Sequence, residues 1–317
     1  VFGILIHHQF YIIATAGSVV LTLFLSIKDP LQKLIARVQR EDIYATLKFA
    51  IITAIILPIL PDETFGPLDV LNPRHIWYMV VLIAGISFLG FVLVKIFGTK
   101  RGLTLSGILG GLVSSTAVTL SFSHKSRETP ELGRTFASGI VLACSIMFPR
   151  ILIEVAVINT SLLGLIWPYV LILTVSGVVA SLLLLFGRSG KTETDIQLKN
   201  PFELKSAIQF GLIFAVILFA SKAAELYLGD GGVYLTAALA GLTDVDAITL
   251  SMANLSRTTL SEHTAAVAIL IAAVSNTLVK AGMTVVLGAA ALRRSTLPGF
   301  GFIIATGLLL IAWLLLS

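Results

Sequence analysis

Residues 163–185, LGLIWPYVLILTVSGVVASLLLL, run without one charged side chain. About 20 mostly apolar residues make a helix long enough to cross a bilayer core, and such stretches recur almost from end to end. Only 12% of the 317 residues are charged, against roughly 25% in a soluble domain, which excludes an ordinary globular enzyme and a disordered chain. The chain reads as an all-α, multi-pass membrane protein. Ten hydrophobic segments are expected: 9–27, 43–60, 77–98, 103–123, 132–157, 163–187, 203–225, 232–253, 262–290 and 297–316. The longest polar stretches, 28–42, 61–76 and 188–202, are too short for a soluble domain. The formal charge of +5 sits mainly in loops and reads as topology before nucleic-acid binding, so no nucleic-acid partner is expected. Cys144, the one cysteine, excludes an intrachain disulfide and a Cys-based metal cluster. A chain that opens at Val1, with no signal peptide and no initiator methionine, reads as one whose beginning is missing.

Two segments break the apolar pattern. Residues 103–123 read LTLSGILGGLVSSTAVTLSFS and residues 233–253 read VYLTAALAGLTDVDAITLSMA. Placing Gly111 on Gly241 aligns Leu112 with Leu242, Ala117 with Ala247, Thr119 with Thr249, Ser121 with Ser251 and Arg127 with Arg257. The same offset lays 77–98 on 203–225 and Ser145 on Ser275. Shared spacing of Thr, Ser and Arg marks an internal repeat, where shared Leu and Ala alone would not.

Positive charge orients the repeats, because cytoplasmic loops are enriched in Lys and Arg. If all ten segments span, the loops divide eight positives against seven, which carries no signal. If 103–123 and 233–253 enter the bilayer and return, thirteen fall inside and only Arg74 and Arg257 outside. Returning the first segment alone gives twelve against three, so symmetry between the repeats decides the second. The expectation is an inverted repeat, four segments against four, behind two preceding helices. Half-segments of about ten residues rise about 15 Å, enough to reach the midplane. Gly110, Gly111 and Gly241 stand as the hinges, since backbone broken at that depth must be buried or line a wet cavity. The expected domains are 1–42, a final helix and basic loop; 43–76, a connecting helix and external loop; 77–187, the first transport repeat; and 188–317, the second, inverted one.

Thr243-Asp244-Val245-Asp246 is the sharpest chemical feature. One charge at mid-bilayer costs at least about 2.5 kcal/mol, so two acids there are a site by default. Residues two apart on a regular helix point nearly opposite ways, so both acids face one ion only where the backbone unwinds. Paired carboxylates with hydroxyls and freed carbonyls form a hard oxygen site for a cation. The competing readings make Asp244 a helix cap with Asp246 paired to a buried Lys or Arg, or make the acids a proton relay. In the first repeat the matching residues are Ser114, Ser115 and Thr116, with Thr119 and Thr249 one turn further on. These hydroxyls serve either as ligands across an inverted two-fold or as small residues that let helices pack closely. Asn276 can add an oxygen, and Lys280 can neutralise an aspartate in the empty site. Arg150 and Glu154, four apart, are expected to pair with each other. Lys222 and Glu225 are read as snorkelling, and Glu262 and His263 as helix-start residues. With no Walker loop, GxSxG or HExxH, no enzyme and no prosthetic group are expected.

At GGLVSSTAVTLSFS, GLTDVDAITLS and SNTLVKAG the sequence resembles MgtC/SapB-type bacterial membrane proteins that carry a C-terminal multi-helix domain of unknown function. The run from Arg40 to Gly90, REDIYATLKFAII onward, is similar to that family's junction and domain start, and the resemblance covers residues 40–317. Residues 1–40 then look like the last helix of an MgtC-like part whose earlier helices are absent. The resemblance implies transport of metal ions, divalent cations in particular, across the inner (cytoplasmic) membrane. An all-oxygen site suits Mg, Ca or Mn, while the resemblance pulls toward transition metals; the identity of the ion stays open. Two other functions compete: a non-transporting membrane regulator that binds a partner protein, and an anion or organic-solute carrier built on Arg150 and Lys280. Faces rich in small residues leave room for a homodimer in the bilayer.

Overall fold

The computed structural model of the chain describes residues 40–66, 68, 70–97, 103–185 and 204–316. Segment 9–27 and the basic loops at 28–39 and 188–202 lie outside the described residues. By internal contacts the chain divides into residues 1–47 and 48–317, and of the first unit only the opening of helix α1, Arg40–Ala50, is described.

Among its described residues the second unit is almost wholly helical. After α1 come a π-helical turn, Ile51–Ile56, and a short α turn, Leu57–Ile59. The long helices are α2, Pro73–Phe97; α3, Leu103–Glu128; α4, Gly133–Ile158; α5, Thr160–Leu185; α6, Leu204–Gly241; α8, Glu262–Leu287; and α9, Ala290–Leu316, with the shorter α7, Val245–Leu255, between α6 and α8. Among the described residues the β structure is a single bridge between Phe65 and Leu71. Five described stretches are long and apolar enough to cross a membrane: Pro130–Ile158, Thr160–Leu184, Ile208–Gly241, Glu262–Leu287 and Ala290–Leu316. The chain is a multi-pass, all-helical membrane protein.

Local chemistry sets the boundaries. Asn159, extended between α4 and α5, accepts from the backbone N–H of Ser161 at 3.0 Å and Leu162 at 3.2 Å, as a helix cap should. Ser261 caps α8 by accepting from Thr264 N at 3.0 Å. Two expectations shift. The apolar helix within 43–60, Thr46–Ile59, is shorter than a span needs. Helix α9 starts at Ala290, well before 297, because Arg293 and Arg294 are polar yet helical.

The interior centres on α4 and α8. About two-thirds of their apolar windows is buried, against about one-third for α5, α6 and α9. Small residues let them sit deep, for Ala265, Ala266, Ala268, Ala272 and Ala273 of α8 are fully covered.

The contacts also fix the path of α3. Gly107 lies against Gly139 and Gly111 against Ala143, so its first half climbs beside α4 in the same direction. Ser114 then leaves helical geometry at φ −166°, ψ 107°. The second half returns: the rings of Phe122 and Phe136 are 5.3 Å apart, and Arg127 donates to Val286 O at 2.9 Å near the end of α8. Helix α6 breaks at Gly229 (φ 60°), and its last part runs beside α8, with Gly241 against Ala272. After Asp244 (φ −153°, ψ 126°), α7 follows α4, from Asp246 at Arg150 to Ser256 at Asn159. Each motif is thus a broken hairpin.

The two ends of the bundle differ in chemistry. One gathers Asn159, the Glu225–Thr259 contact and the His263–Leu314 contact, with Tyr78, Trp167, Tyr227 and Trp313 exposed around it. At the other, Ser126 accepts from Ala289 N, Arg134 donates to Leu184 O, and Arg293 and Arg294 are exposed.

Candidate functional site

The breaks place the polar residues at the level of the buried middle of α4 and α8. The expected hinges flank the bends and do not form them. The breaks fall at Ser114 and at 242–244; Gly111 is a close-packing position inside regular helix, Gly241 ends α6 directly before the second break and packs against Ala272, and Gly110 is simply buried. Hydroxyl and carboxylate side chains can cap the helix that restarts, which is why the chain leaves helical geometry there. Ser114 Oγ accepts from Ala117 N at 3.2 Å, and Asp244 Oδ1 accepts from Asp246 N at 2.8 Å. Ser114 and Asp244 stand in the same register as Gly111 and Gly241.

In the second hairpin, Asp246 opens α7 and its Oδ2 accepts from Arg150 Nη2 of α4 at 2.5 Å. The expected Arg150–Glu154 pair is therefore absent. Spacing on one helix favours that pair by a few tenths of a kcal/mol, whereas a buried carboxylate on the facing element competes for the same guanidinium in a low dielectric. Asp244 as a cap and Asp246 paired with a buried arginine is the structural alternative weighed for these acids. Glu154 is wholly buried and neither of its oxygens accepts from an N–H or O–H donor; its carboxyl lies against that of Asp246, within side-chain hydrogen-bonding reach, with Arg150 and Asp244 also acting on it. Thr243 Oγ1 turns back to Ala240 O, and Asn276 Nδ2 donates to Gly241 O at 2.9 Å, satisfying a carbonyl at the end of α6. Thr249 Oγ1 is buried without a partner.

In the first hairpin, Ser115 Oγ accepts from Lys280 Nζ of α8 at 2.8 Å, and the same ammonium reaches Met147 Sδ at 3.1 Å. Lys280 thus bonds to the hydroxyl motif and not to an aspartate. Thr119 Oγ1 donates to Ser115 O, and Thr116 is exposed. Among the described residues no hydrogen bond joins Ser114, Ser115 or Thr116 to Thr243, Asp244 or Asp246. Helix α4 connects the two places: Met147 meets Lys280, and Arg150, one turn on, meets Asp246. Among the described residues no three His, Cys, Asp or Glu side chains are grouped to hold a metal ion in this arrangement. Lys222 and Glu225 pair with each other at 3.0 Å, and His263 meets Leu314 O.

The break at Gly229 falls in the connection expected between segments 203–225 and 232–253, but as a kink within one continuous helix, Leu204–Gly241. The sequence reading missed Met147, which nothing in its apolar surroundings singles out.

A family model described as "Domain of unknown function (DUF4010)" matches residues 81–288. An uncharacterized protein of Aquifex aeolicus (strain VF5) is 36% identical over 197 residues, covering 60% of this chain and 84% of that protein. No solved structure matches.

Proposed function

The chain belongs to the DUF4010 family, and we propose that it is a transporter of divalent metal cations, a permease or channel-like carrier in the cytoplasmic membrane. The ion would bind at the second broken hairpin, on Asp244 and Asp246. What carries this reading is the charge balance of the buried cluster. Asp244, Asp246 and Glu154 lie around a single guanidinium, so the buried acids outnumber the buried cation by two, an excess that a divalent cation bound to Asp244 and Asp246 would balance. Such charge deep among spanning helices is costly and marks an ion pathway. In the state described, Arg150 occupies Asp246, and binding would displace it.

The paths of the two hairpins support the finer topology. Each begins and ends at one end of the bundle, and at opposite ends from each other, as an inverted repeat requires. Arg150 and Lys280, related by the Gly111–Gly241 offset, each reach across to the hairpin of the other half, which is the reciprocal contact a two-fold produces. The MgtC/SapB kinship, with residues 1–42 as the end of an MgtC-like part, belongs to the same proposal.

Proteoliposomes carrying the full chain should take up Mn2+, Co2+ or Mg2+; no flux for any divalent ion would sink the reading. Single cysteines at Arg101 and Glu128, in a Cys144→Ser background, should react with impermeant reagent from the cytoplasm only. Those at Asp230 and Thr258 should react from outside only. Labelling of Arg101 and Glu128 from opposite sides would remove the first re-entrant hairpin.

One observation favours a second reading, an anion or organic-solute carrier. Lys280 is 1% exposed and its neighbours are the Ser115 hydroxyl, the Met147 thioether and the Cys144 thiol, so its charge has no carboxylate partner among the described residues. Anion-dependent flux lost in Lys280→Met, with no response to metals, would select it.

A further inference from the structure

Arg150 and Glu154 are one turn apart on one face of α4, with Cβ atoms about 5–6 Å apart as that spacing sets. The guanidinium nevertheless reaches across to Asp246. Two sets of atoms are left over. Both oxygens of Glu154 lack a donor, and Arg150 Nε lacks an acceptor, although all three are buried. A fully buried acid with no donor to accept from, set against a second carboxyl, Asp246, is an expensive feature for a fold to keep.

We infer that Glu154 is the second berth of Arg150: the guanidinium covers Asp246 when the site is empty and turns to Glu154 when a divalent cation takes Asp244 and Asp246. This rests on the cation reading given above. A divalent cation bound to Asp246 repels a guanidinium on the same carboxylate, and a displaced guanidinium with no acid to meet would be an unpaired charge in a low dielectric. Glu154 removes that obstacle by rotation of one long side chain, with no movement of α4. Glu154 is then a positioning residue that does not touch the ion. The tethered guanidinium also acts as a built-in competitor, so an incoming ion has to out-attract a full positive charge already in place. That raises the threshold for monovalent ions more than for divalent ones.

The test is Mn2+-induced thermal stabilisation of the detergent-purified full chain, titrated for wild type, Glu154→Gln, Arg150→Met, the double variant and Asp244→Asn. Glu154→Gln should weaken apparent Mn2+ affinity about tenfold, while in the Arg150→Met background the same change should shift it less than about twofold, the non-additivity expected of coupled residues. Arg150→Gln carries the same expectation where Arg150→Met does not fold. An equal loss with and without Arg150 would make Glu154 a ligand or a structural residue and overturn the berth. So would an unchanged affinity in Glu154→Gln. In both of those cases a lost response in Asp244→Asn leaves the cation reading standing. A wild-type response in Asp244→Asn, or no Mn2+ response in wild type, overturns both together.

Discussion

Asp244→Asn should abolish divalent-cation flux while leaving the protein folded. Asparagine caps a helix about as well as aspartate, so the bond from Asp246 N to the capping oxygen survives and only the charge is lost. At an effective dielectric near 20, unit charges 4 Å apart attract by about 4 kcal/mol. Losing one carboxylate of the site should therefore cost roughly a hundredfold or more in ion affinity. Asp246→Asn should lose flux to a similar extent. The check is metal-dependent uptake in proteoliposomes together with metal-induced thermal stabilisation, and a wild-type response in both variants would move the site elsewhere. Ser114→Ala should act more mildly, since it removes a neutral cap worth about 1 kcal/mol.

Gly111→Ala and Gly241→Ala should each leave little folded protein. A Cβ on Gly111 would stand 2.7 Å from Ala143 Cα, and one on Gly241 would stand 2.5 Å from Ala272 O. Both obstacles are backbone of the two central helices, which cannot step aside as a flexible side chain can. Overpacking usually costs about 1–3 kcal/mol, and contacts against backbone belong at or above the top of that range. Gly282→Ala is the control, because nothing lies within 4 Å of its added Cβ; it should be neutral or stabilise by up to about 1 kcal/mol through helix propensity. Thermal unfolding and size-exclusion profiles in detergent measure all three. Equal melting of Gly111→Ala and wild type would mean that α3 and α4 do not pack this closely.

The helices were legible because hydrophobic length is a local property, and α4, α5 and α8 lie within a few residues of the expected segments. The interruption of both motifs was legible too, since acids and clustered hydroxyls cannot continue an apolar span without a reason. The residue on which each one pivots was not. Glycine was read as the hinge because it bends freely, but these glycines buy proximity, and the bends come at Ser114 and Asp244, whose side chains cap the restarting helices. The partner of Arg150 was illegible for a different reason. Spacing along one helix reports neighbours on its own face, and Asp246 arrives from a chain segment 96 residues away. Lys280 was misassigned in the same way, because only the fold brings Ser115 of another helix to its ammonium.

The two ends of the bundle have a further consequence. Tryptophan and tyrosine favour the headgroup layer, while lysine and arginine hold to the cytoplasmic face. With Tyr78, Trp167, Tyr227 and Trp313 around one end and Arg134, Arg293 and Arg294 at the other, the long helices are moored at both interfaces like a hull between two quays. On the transport proposed above, a body so moored would stay in place, and an ion would be handed on by the short limbs folded back inside it.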